Sequence, residues 1–228
     1  PAGNIAFIIY NNNDDDTSPA LTSDEQIINN KLIGMGWEDK ITYIKSSRVK
    51  NSDLSGAVLV VSTEYPTIDK NTVNTLINSG RKVMLLKTSG TVMGGSWSDT
   101  THYNDNTQET LIIDSNEAFF DGYASNFYFD VQSRNNACFI TSNYPTGWTV
   151  IGRNNWNSAY KTALYREHTT SGGKGVIFGY YPQYYNSLGW NTFEMILDWF
   201  FDDDIIEGKT VPAGNIAFII YNNNDDDT

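Results

Sequence analysis

The chain of 228 residues carries a formal charge of −12, from 15 Lys and Arg against 27 Asp and Glu. This acidic balance argues against binding to nucleic acid or to an anionic membrane surface, because both need a basic protein face. No apolar run is long enough to span a bilayer, and the single cysteine, Cys138, cannot form an internal disulfide. The fold must therefore rest on a packed core.

From residue 4 to residue 87 the chain alternates apolar runs with segments of helical periodicity. A strand buried on both faces is predicted at 4–10. Further strands are predicted at 40–45, at 56–62, which is a continuous apolar run, and at 81–87. A first helix is predicted after the capping box of Thr22 and Glu25; its inward side chains are Ile27, Ile28, Leu32 and Met35, and Gly34 and Gly36 end it. A second helix is predicted at 69–78, with Val73, Leu76 and Ile77 inward. Alternating strands and helices with short connections indicate βαβ units and a parallel sheet.

The second half of the chain has a different texture, with short aromatic-rich runs between turn signals. Strands are predicted at 111–114, 126–131, 137–141, 148–151 and 161–166, and this β-rich insertion or extension of the sheet covers residues 96–170. A further apolar strand is predicted at 173–181. A closing helix at 190–201 should bury Phe193, Ile196, Leu197 and Phe200.

The whole layout resembles the class I glutamine amidotransferase-like group, and especially its trehalose-utilisation-type relatives. The resemblance is carried by NIAFIIYNNNDDD, DLSGAVLVVS, NTVNTLINSGRKVMLLKTSG and GGKGVIFGYYPQYYNSLGWNTFEMILDWF. It implies an α/β fold with a parallel flavodoxin-like sheet flanked by helices, interrupted by the antiparallel β-rich insertion. It also implies a module found in repeats of secreted or surface proteins of bacteria and archaea.

The catalytic motif of that group is absent from this chain. Its members carry a Cys on a tight turn after a central strand, but the corresponding turn here is ThrSerGlyThr at 88–91. Cys138 lies in an apolar strand context and is interpreted as a core residue. Ser89 with His168 is a conceivable nucleophilic pair, yet Ser89 lacks the G-x-S-x-G turn that would expose it. We therefore expect no catalytic residues and no enzyme activity.

A polar tract after the first strand, NNNDDDT at 11–17, is the one candidate for a metal site. Asp14, Asp15 and Asp16 offer clustered carboxylates at a strand's carboxyl end, which could hold Ca²⁺, with 202–204 as further ligands. An EF-hand register fails because Pro19 occupies the position of the required glycine. The alternative is a solvated loop of like charges. No other cofactor is predicted.

Residues 1–17 and 212–228 have the same sequence, PAGNIAFIIYNNNDDDT. One sheet has a single position for this strand, so the second copy should either start the next repeat or enter a neighbouring subunit. The predicted organisation is one domain at 1–205, a linker at 206–211, and the second copy at 212–228. The residues expected to contact another unit are Ile216, Phe218, Ile219, Ile220 and Tyr221.

These features predict a structural repeat unit of an extracellular filament or surface-layer protein, whose partners are identical copies joined head to tail. Two alternatives stay open. One is a hydrolase or amidotransferase-like enzyme. The other is a carbohydrate- or ligand-binding surface module, which the 14 Tyr and 6 Trp would favour.

Overall fold

The structure, a computed structural model, describes residues 3–10, 20–64, 68–93, 108–112, 128–131, 140, 145–154 and 159–201. The strands are β1 (Ile5–Ile9), β2 (Ile41–Lys45), β3 (Leu59–Ser62), β4 (Lys82–Leu86), β5 (Gln108–Ile112), β6 (Tyr128–Val131), β7 (Thr149–Asn154), β8 (Lys161–His168) and β9 (Gly173–Phe178). The α-helices are α1 (Ser23–Leu32), α2 (Asn51–Ser55), α3 (Lys70–Asn78) and α4 (Ser187–Phe201).

The described strands form one mixed sheet in the order β2-β1-β3-β4-β9-β8-β7-β5-β6. The first five in this order are parallel to one another, and the pairings from β9 to β6 are antiparallel. The predicted α/β fold with a parallel flavodoxin-like sheet is confirmed. The described strands of the β-rich middle of the chain, β5 to β8, extend this same sheet.

Helices cover both faces of the parallel strands. The side chains of each strand alternate between two apolar clusters, one on each face of the sheet. Ile5, Phe7 and Ile9 of β1 belong to the cluster that packs on α1 and α4, whereas Ala6 and Ile8 belong to the cluster under α2 and α3. All five side chains are buried, as predicted for a strand that is apolar on both faces. The predicted inward stripes of the helices at 69–78 and 190–201 are also buried. On the first helix Ile28 and Leu32 are buried, whereas Ile27 and Met35 are half-buried.

Several predicted boundaries are wrong by a few residues, for identifiable reasons. The strand predicted at 81–87 ends at Leu86, because Lys87 has a φ of 48° and leaves the extended conformation. The closing helix begins at Ser187 instead of 190, and the side chain of Asn186 accepts a hydrogen bond from the Gly189 amide at 2.9 Å, which caps its first turn. The helix after Thr22 continues as a π-helical turn, Ile33–Trp37, so the predicted end at Gly34 is wrong. Gly36, with a φ of 87°, is the residue at which the helical conformation is interrupted.

The remaining boundary differences lie in the second half of the chain. The strand predicted at 173–181 ends at Phe178, and the one predicted at 148–151 is Thr149–Asn154. The strands predicted at 111–114, 126–131 and 161–166 correspond to β5, β6 and β8. Of the strand predicted at 137–141, the structure describes Ile140 alone, which bridges to Lys161.

The chain runs from β1 outward to β2 and then returns to β3 on the other side of β1, so the direction of winding reverses between β1 and β3. In open α/β sheets the crevice beyond the carboxyl ends of the strands at such a reversal is the usual place for ligands. The parallel strands β1, β3, β4 and β9 all terminate at the same end of the sheet, which we call the carboxyl edge. We call the opposite end, where these strands begin, the amino edge.

Candidate functional site

The candidate site contains a lysine, Lys87, with a strained backbone conformation. Lys87 directly follows β4 and is the one non-glycine residue with positive φ within the described ranges. A left-handed conformation costs a β-substituted residue roughly 1–2 kcal/mol, and such strain is often found at functional positions. The Lys87 side chain contacts the first turn of α1 and the residue Glu64 that follows β3.

Two carboxylates, one in α1 and one just after β3, contact the Lys87 ammonium group. Nζ lies 2.8 Å from Oδ2 of Asp24, in the first turn of α1, and 2.5 Å from Oε1 of Glu64, just after β3. The exposed fractions of the three side chains are only 13%, 4% and 12% for Lys87, Asp24 and Glu64. The ring of Tyr181, beyond β9, lies under the ammonium at 4.4 Å. We call Lys87, Asp24 and Glu64 the lysine–carboxylate cluster.

The outer oxygens of the two carboxylates are also hydrogen-bonded, which fixes their orientation. Oδ1 of Asp24 accepts a bond from the backbone N–H of Gln183 at 3.1 Å. Oε2 of Glu64 accepts one from the hydroxyl of Thr88 at 3.2 Å, and Oε1 lies 3.4 Å from the hydroxyl of Thr22. The cluster therefore ties together the chain segments that follow β1, β3, β4 and β9.

A third carboxylate, that of Glu25, lies next to Asp24 in the first turn of α1. Its side chain is fully buried and accepts hydrogen bonds from the backbone N–H groups of Tyr10 at 2.6 Å and Thr22 at 2.7 Å. Burial raises the pKa of Glu25 above its ordinary value, because desolvation outweighs the two N–H bonds that would lower it. The capping box predicted for Thr22 and Glu25 is confirmed.

The interactions of Lys87 with Asp24 and Glu64 favour its charged form. Burial alone would lower the pKa of Lys87, but its hydrogen bonds with Asp24 and Glu64 outweigh desolvation and raise that pKa. Nearby, burial raises the pKa of Tyr185 well above that of a free phenol, and its hydroxyl donates to the Tyr180 carbonyl at 3.4 Å. At neutral pH the cluster thus holds an ammonium group between carboxylates.

The structure separates the Ser89 and His168 considered as a nucleophilic pair. Ser89 follows β4 at the carboxyl edge, where its buried hydroxyl lies 2.8 Å from the Ser62 carbonyl and 2.6 Å from that of Leu86. His168 ends β8 and pairs with Gly173, at the amino edge. The two residues are therefore separated by the height of the strands, which is about 13 Å for the four steps of β4. They cannot act on one substrate atom.

Other sequence-predicted residues lie outside the described residues: Cys138, Asp14, Asp15, Asp16, 202–204, Ile216, Phe218, Ile219, Ile220 and Tyr221. Within the part of the chain that the structure describes, no three His, Cys, Asp or Glu side chains are grouped to hold a metal ion. No described helix is long and apolar enough to cross a membrane.

Sequence reasoning missed the lysine–carboxylate cluster. Its members were assigned to a strand end, a helix first turn and a loop, where charged residues are normally solvated. The available signal was their position, because Asp24, Glu64 and Lys87 each follow a strand that the sequence predicted correctly, and parallel strands bring their carboxyl ends to one edge.

Comparison with known proteins supports the fold and not a specific activity. No family model and no curated protein matches the chain. Among solved structures, the mmIFT52 N-terminal domain has a TM-score of 0.59 at 11% identity, covering 89% of this chain and 99% of that one. A ThuA-like protein from Bacteroides uniformis has a TM-score of 0.56 at 7% identity, with 86% and 91% covered. A glutamine amidotransferase from Thermotoga maritima has a TM-score of 0.50 at 10% identity, with 89% and 83% covered.

The chain therefore shares its flavodoxin-like α/β fold with amidotransferase-like and ThuA-like proteins. The resemblance to amidotransferases places their cysteine on the turn after a central strand. In this chain Lys87 directly follows β4 and precedes the ThrSerGlyThr segment at 88–91, and its amine is held between two carboxylates.

Proposed function

We propose that this chain is a structural repeat unit that assembles with identical copies of itself in an extracellular filament or surface layer. One observation carries the proposal. The β1 sequence occurs again at 216–220, and β1 already fills its place in the sheet, since it pairs with β2 on one side and β3 on the other.

Without a partner, the second copy would leave an apolar strand exposed to water. Ile5 and Phe7 of β1 are 0% exposed, so the same side chains at Ile216 and Phe218 need an equally apolar environment. Burying each such side chain is worth roughly 1.5–3 kcal/mol. An unpaired apolar strand would also be an aggregation hazard. A second copy of this domain has the matching place between its own β2 and β3. The strand at 216–220 would occupy that place either as the first strand of the next domain or by exchange with the β1 of a neighbouring subunit.

The path of the chain is compatible with such a contact. Hydrogen bonds connect Asn4 to Val58, Val58 to Lys82, and Arg81 to Lys174 along the amino edge, and Nζ of Lys174 donates to the Trp199 carbonyl at 2.7 Å. The end of α4 thus lies at the edge where β1 begins. The 13 residues at 202–214 can span at most about 45 Å, which is enough to reach a neighbouring unit.

The carboxyl edge supports a non-catalytic role. Lys87, which directly follows β4, carries an ammonium group that accepts no proton while it is paired with Asp24 and Glu64. The hydroxyl of Ser89 is buried against backbone carbonyls. Neither group is available as a nucleophile for an external substrate.

The test uses the 228-residue chain and two variants of the second copy. Phe218→Asp places a charge where the strand should be buried, whereas Asn223→Asp adds the same charge beyond the strand. We expect the parent chain and Asn223→Asp to associate in a concentration-dependent way in sedimentation velocity, and Phe218→Asp to stay monomeric with an unchanged melting temperature of its domain. Equally monomeric and equally stable proteins in all three cases would contradict the linking role.

A further inference from the structure

The three members of the lysine–carboxylate cluster have the arrangement needed for a reaction within the chain itself. Nζ of Lys87 lies 2.8 Å from Oδ2 of Asp24 and 2.5 Å from Oε1 of Glu64. Oδ2 is bonded directly to Cγ of Asp24, the carbon that the amine would attack. We propose that Lys87 and Asp24 condense into an intramolecular amide bond, with Glu64 moving the protons. The inference does not depend on the assembly proposed above.

The atoms of this condensation balance without any co-reactant. The ammonium group of Lys87 has three protons, of which the amide retains one. Glu64 accepts the other two from Nζ in turn and passes them to Oδ2 of Asp24. The nitrogen lone pair forms the bond to Cγ, the bond from Cγ to Oδ2 breaks, and Oδ2 leaves as water. Glu64 ends in its initial state.

Each neighbouring group has a place in this reaction. Oδ1 of Asp24 stays on the carbon as the amide oxygen, and the N–H of Gln183, at 3.1 Å, stabilises the negative charge that develops on it. The hydroxyl of Thr88 holds Glu64 through Oε2, so that Oε1 remains directed at Nζ. The ring of Tyr181, 4.4 Å from Nζ, packs against the amine while it contacts both carboxyl groups.

Burial makes the condensation favourable at this site and unfavourable elsewhere. The side chain of Asp24 is 4% exposed, so the water released leaves a site that bulk water barely enters. Groups held in contact react with effective concentrations of about 10⁵–10⁸ M in the best intramolecular systems. The reaction occurs once per molecule, so even the small fraction of Lys87 present as the neutral amine is sufficient. It also removes a buried ion pair, which is costly to desolvate.

The amide would connect the first turn of α1 to the residue that follows β4. The sequence contains one cysteine and therefore no internal disulfide to make such a connection. A covalent link between residues 24 and 87 encloses β2, β3 and β4 in one loop, and would restrain the sheet around the strand that we propose transmits contacts between units.

Mass spectrometry of the intact 228-residue chain tests the proposal directly. After prolonged incubation in the folded state, we expect a mass lower than that calculated from the sequence by one water molecule. Trypsin should then fail to cleave after Lys87, and residues 1–31 should be recovered linked to residues 83–134. Retention of the full calculated mass, or a water loss that maps to other residues, would overturn the inference.

Variants separate the roles of the two participating side chains. Lys87→Arg retains a positive charge but lacks the reacting amine, so it should keep the full mass. Glu64→Gln cannot carry protons in the same way and should slow the loss of water at least tenfold. Lys31→Arg is the control, because Lys31 also pairs with a carboxylate, Glu194, but both side chains are substantially exposed, at 29% and 44%. A water loss that persists in Lys87→Arg would exclude Lys87 as the nucleophile.

Discussion

The carboxylate of Glu25 accepts a hydrogen bond from the backbone N–H of Tyr10 at 2.6 Å, so the end of β1 is held against the start of α1. The same carboxylate caps α1 through the N–H of Thr22. This connection orients the first turn of α1, where Asp24 contacts Lys87. A fully buried glutamate is thus part of the support for the lysine–carboxylate cluster.

Replacing Glu25 by Gln should change how stability depends on pH. Burial raises the folded-state pKa of Glu25 above the ordinary value of 4.5, so the folded chain binds this proton more tightly than the unfolded chain. The resulting stabilisation is present below the unfolded-state pKa and is lost as the pH rises through the folded-state pKa. The free energy of unfolding of the parent chain should therefore fall relative to that of Glu25→Gln as the pH rises from the ordinary glutamate pKa of 4.5 through the raised folded-state pKa.

Urea denaturation at several pH values measures this difference. Glu38→Gln, at an exposed position, corrects for the loss of one negative charge. A difference between the parent chain and Glu25→Gln that grows in favour of the parent as the pH rises would contradict the prediction.

Removing the Lys87 cation should destabilise the fold strongly. Relative to a parent chain whose intact mass shows no loss of water, Lys87→Met leaves Asp24 and Glu64 nearly buried without their positive partner. Breaking a buried ion pair in this way typically costs about 3–5 kcal/mol. Lys31→Met removes a lysine from a half-exposed pair, for which about 0–1 kcal/mol is expected. Equal losses in the free energy of unfolding for the two variants would show that the cluster contributes no more than a surface salt bridge.

A methyl group at Gly173 should be poorly tolerated. Its Cβ would overlap the carbonyl oxygen of Ile77 in α3, which packs directly against the start of β9. Such overpacking against backbone costs about 1–3 kcal/mol or more. A Cβ at Gly56 would instead point into open space, with no contact within 4 Å, so Gly56→Ala should stay within about 0.5 kcal/mol of the parent. Thermal melts of the two variants compare them, and similar melting temperatures would refute the close packing of α3 on β9.

Much of the fold could be predicted because its strands are apolar on both faces. Residues 4–10 and 56–62 contain too many consecutive apolar side chains for a half-exposed sheet, and β1 and β3 are indeed buried throughout. The strand ends were harder to predict, because they depend on single backbone conformations. The positive φ of Lys87 is one such case, and no residue type in its neighbourhood signals it.

The candidate site could not be predicted because it depends on contacts between distant parts of the chain. Asp24 and Glu64 each look like solvated charges in their own segments, and their burial follows only when β1, β3 and β4 end side by side. Glu25 was correctly assigned to a capping box, but its bond to Tyr10 requires the position of β1 relative to α1.

The hydroxyl of Ser89 should contribute to stability and not to catalysis. Its one proton serves the buried carbonyls of Ser62 and Leu86, so Ser89→Ala should cost about 1 kcal/mol in the free energy of unfolding. His168→Ala and Cys138→Ala should likewise change no turnover. Assays with activated esters and amides check this expectation, and a reproducible hydrolysis abolished by Ser89→Ala would contradict the structural role.

Calcium binding by the tract at 11–17 is a prediction from the sequence. Asp14, Asp15 and Asp16 come after β1 in the chain, and oxygen ligands of this kind are those that Ca²⁺ prefers. If they bind Ca²⁺, a free concentration 100 times the dissociation constant should stabilise the fold by about 2.7 kcal/mol. Adding chelator should then lower the melting temperature by several degrees. The variant Asp14→Asn, Asp16→Asn should melt at the same temperature with and without Ca²⁺. An unchanged melt of the parent chain on chelation would identify the tract as solvated charge.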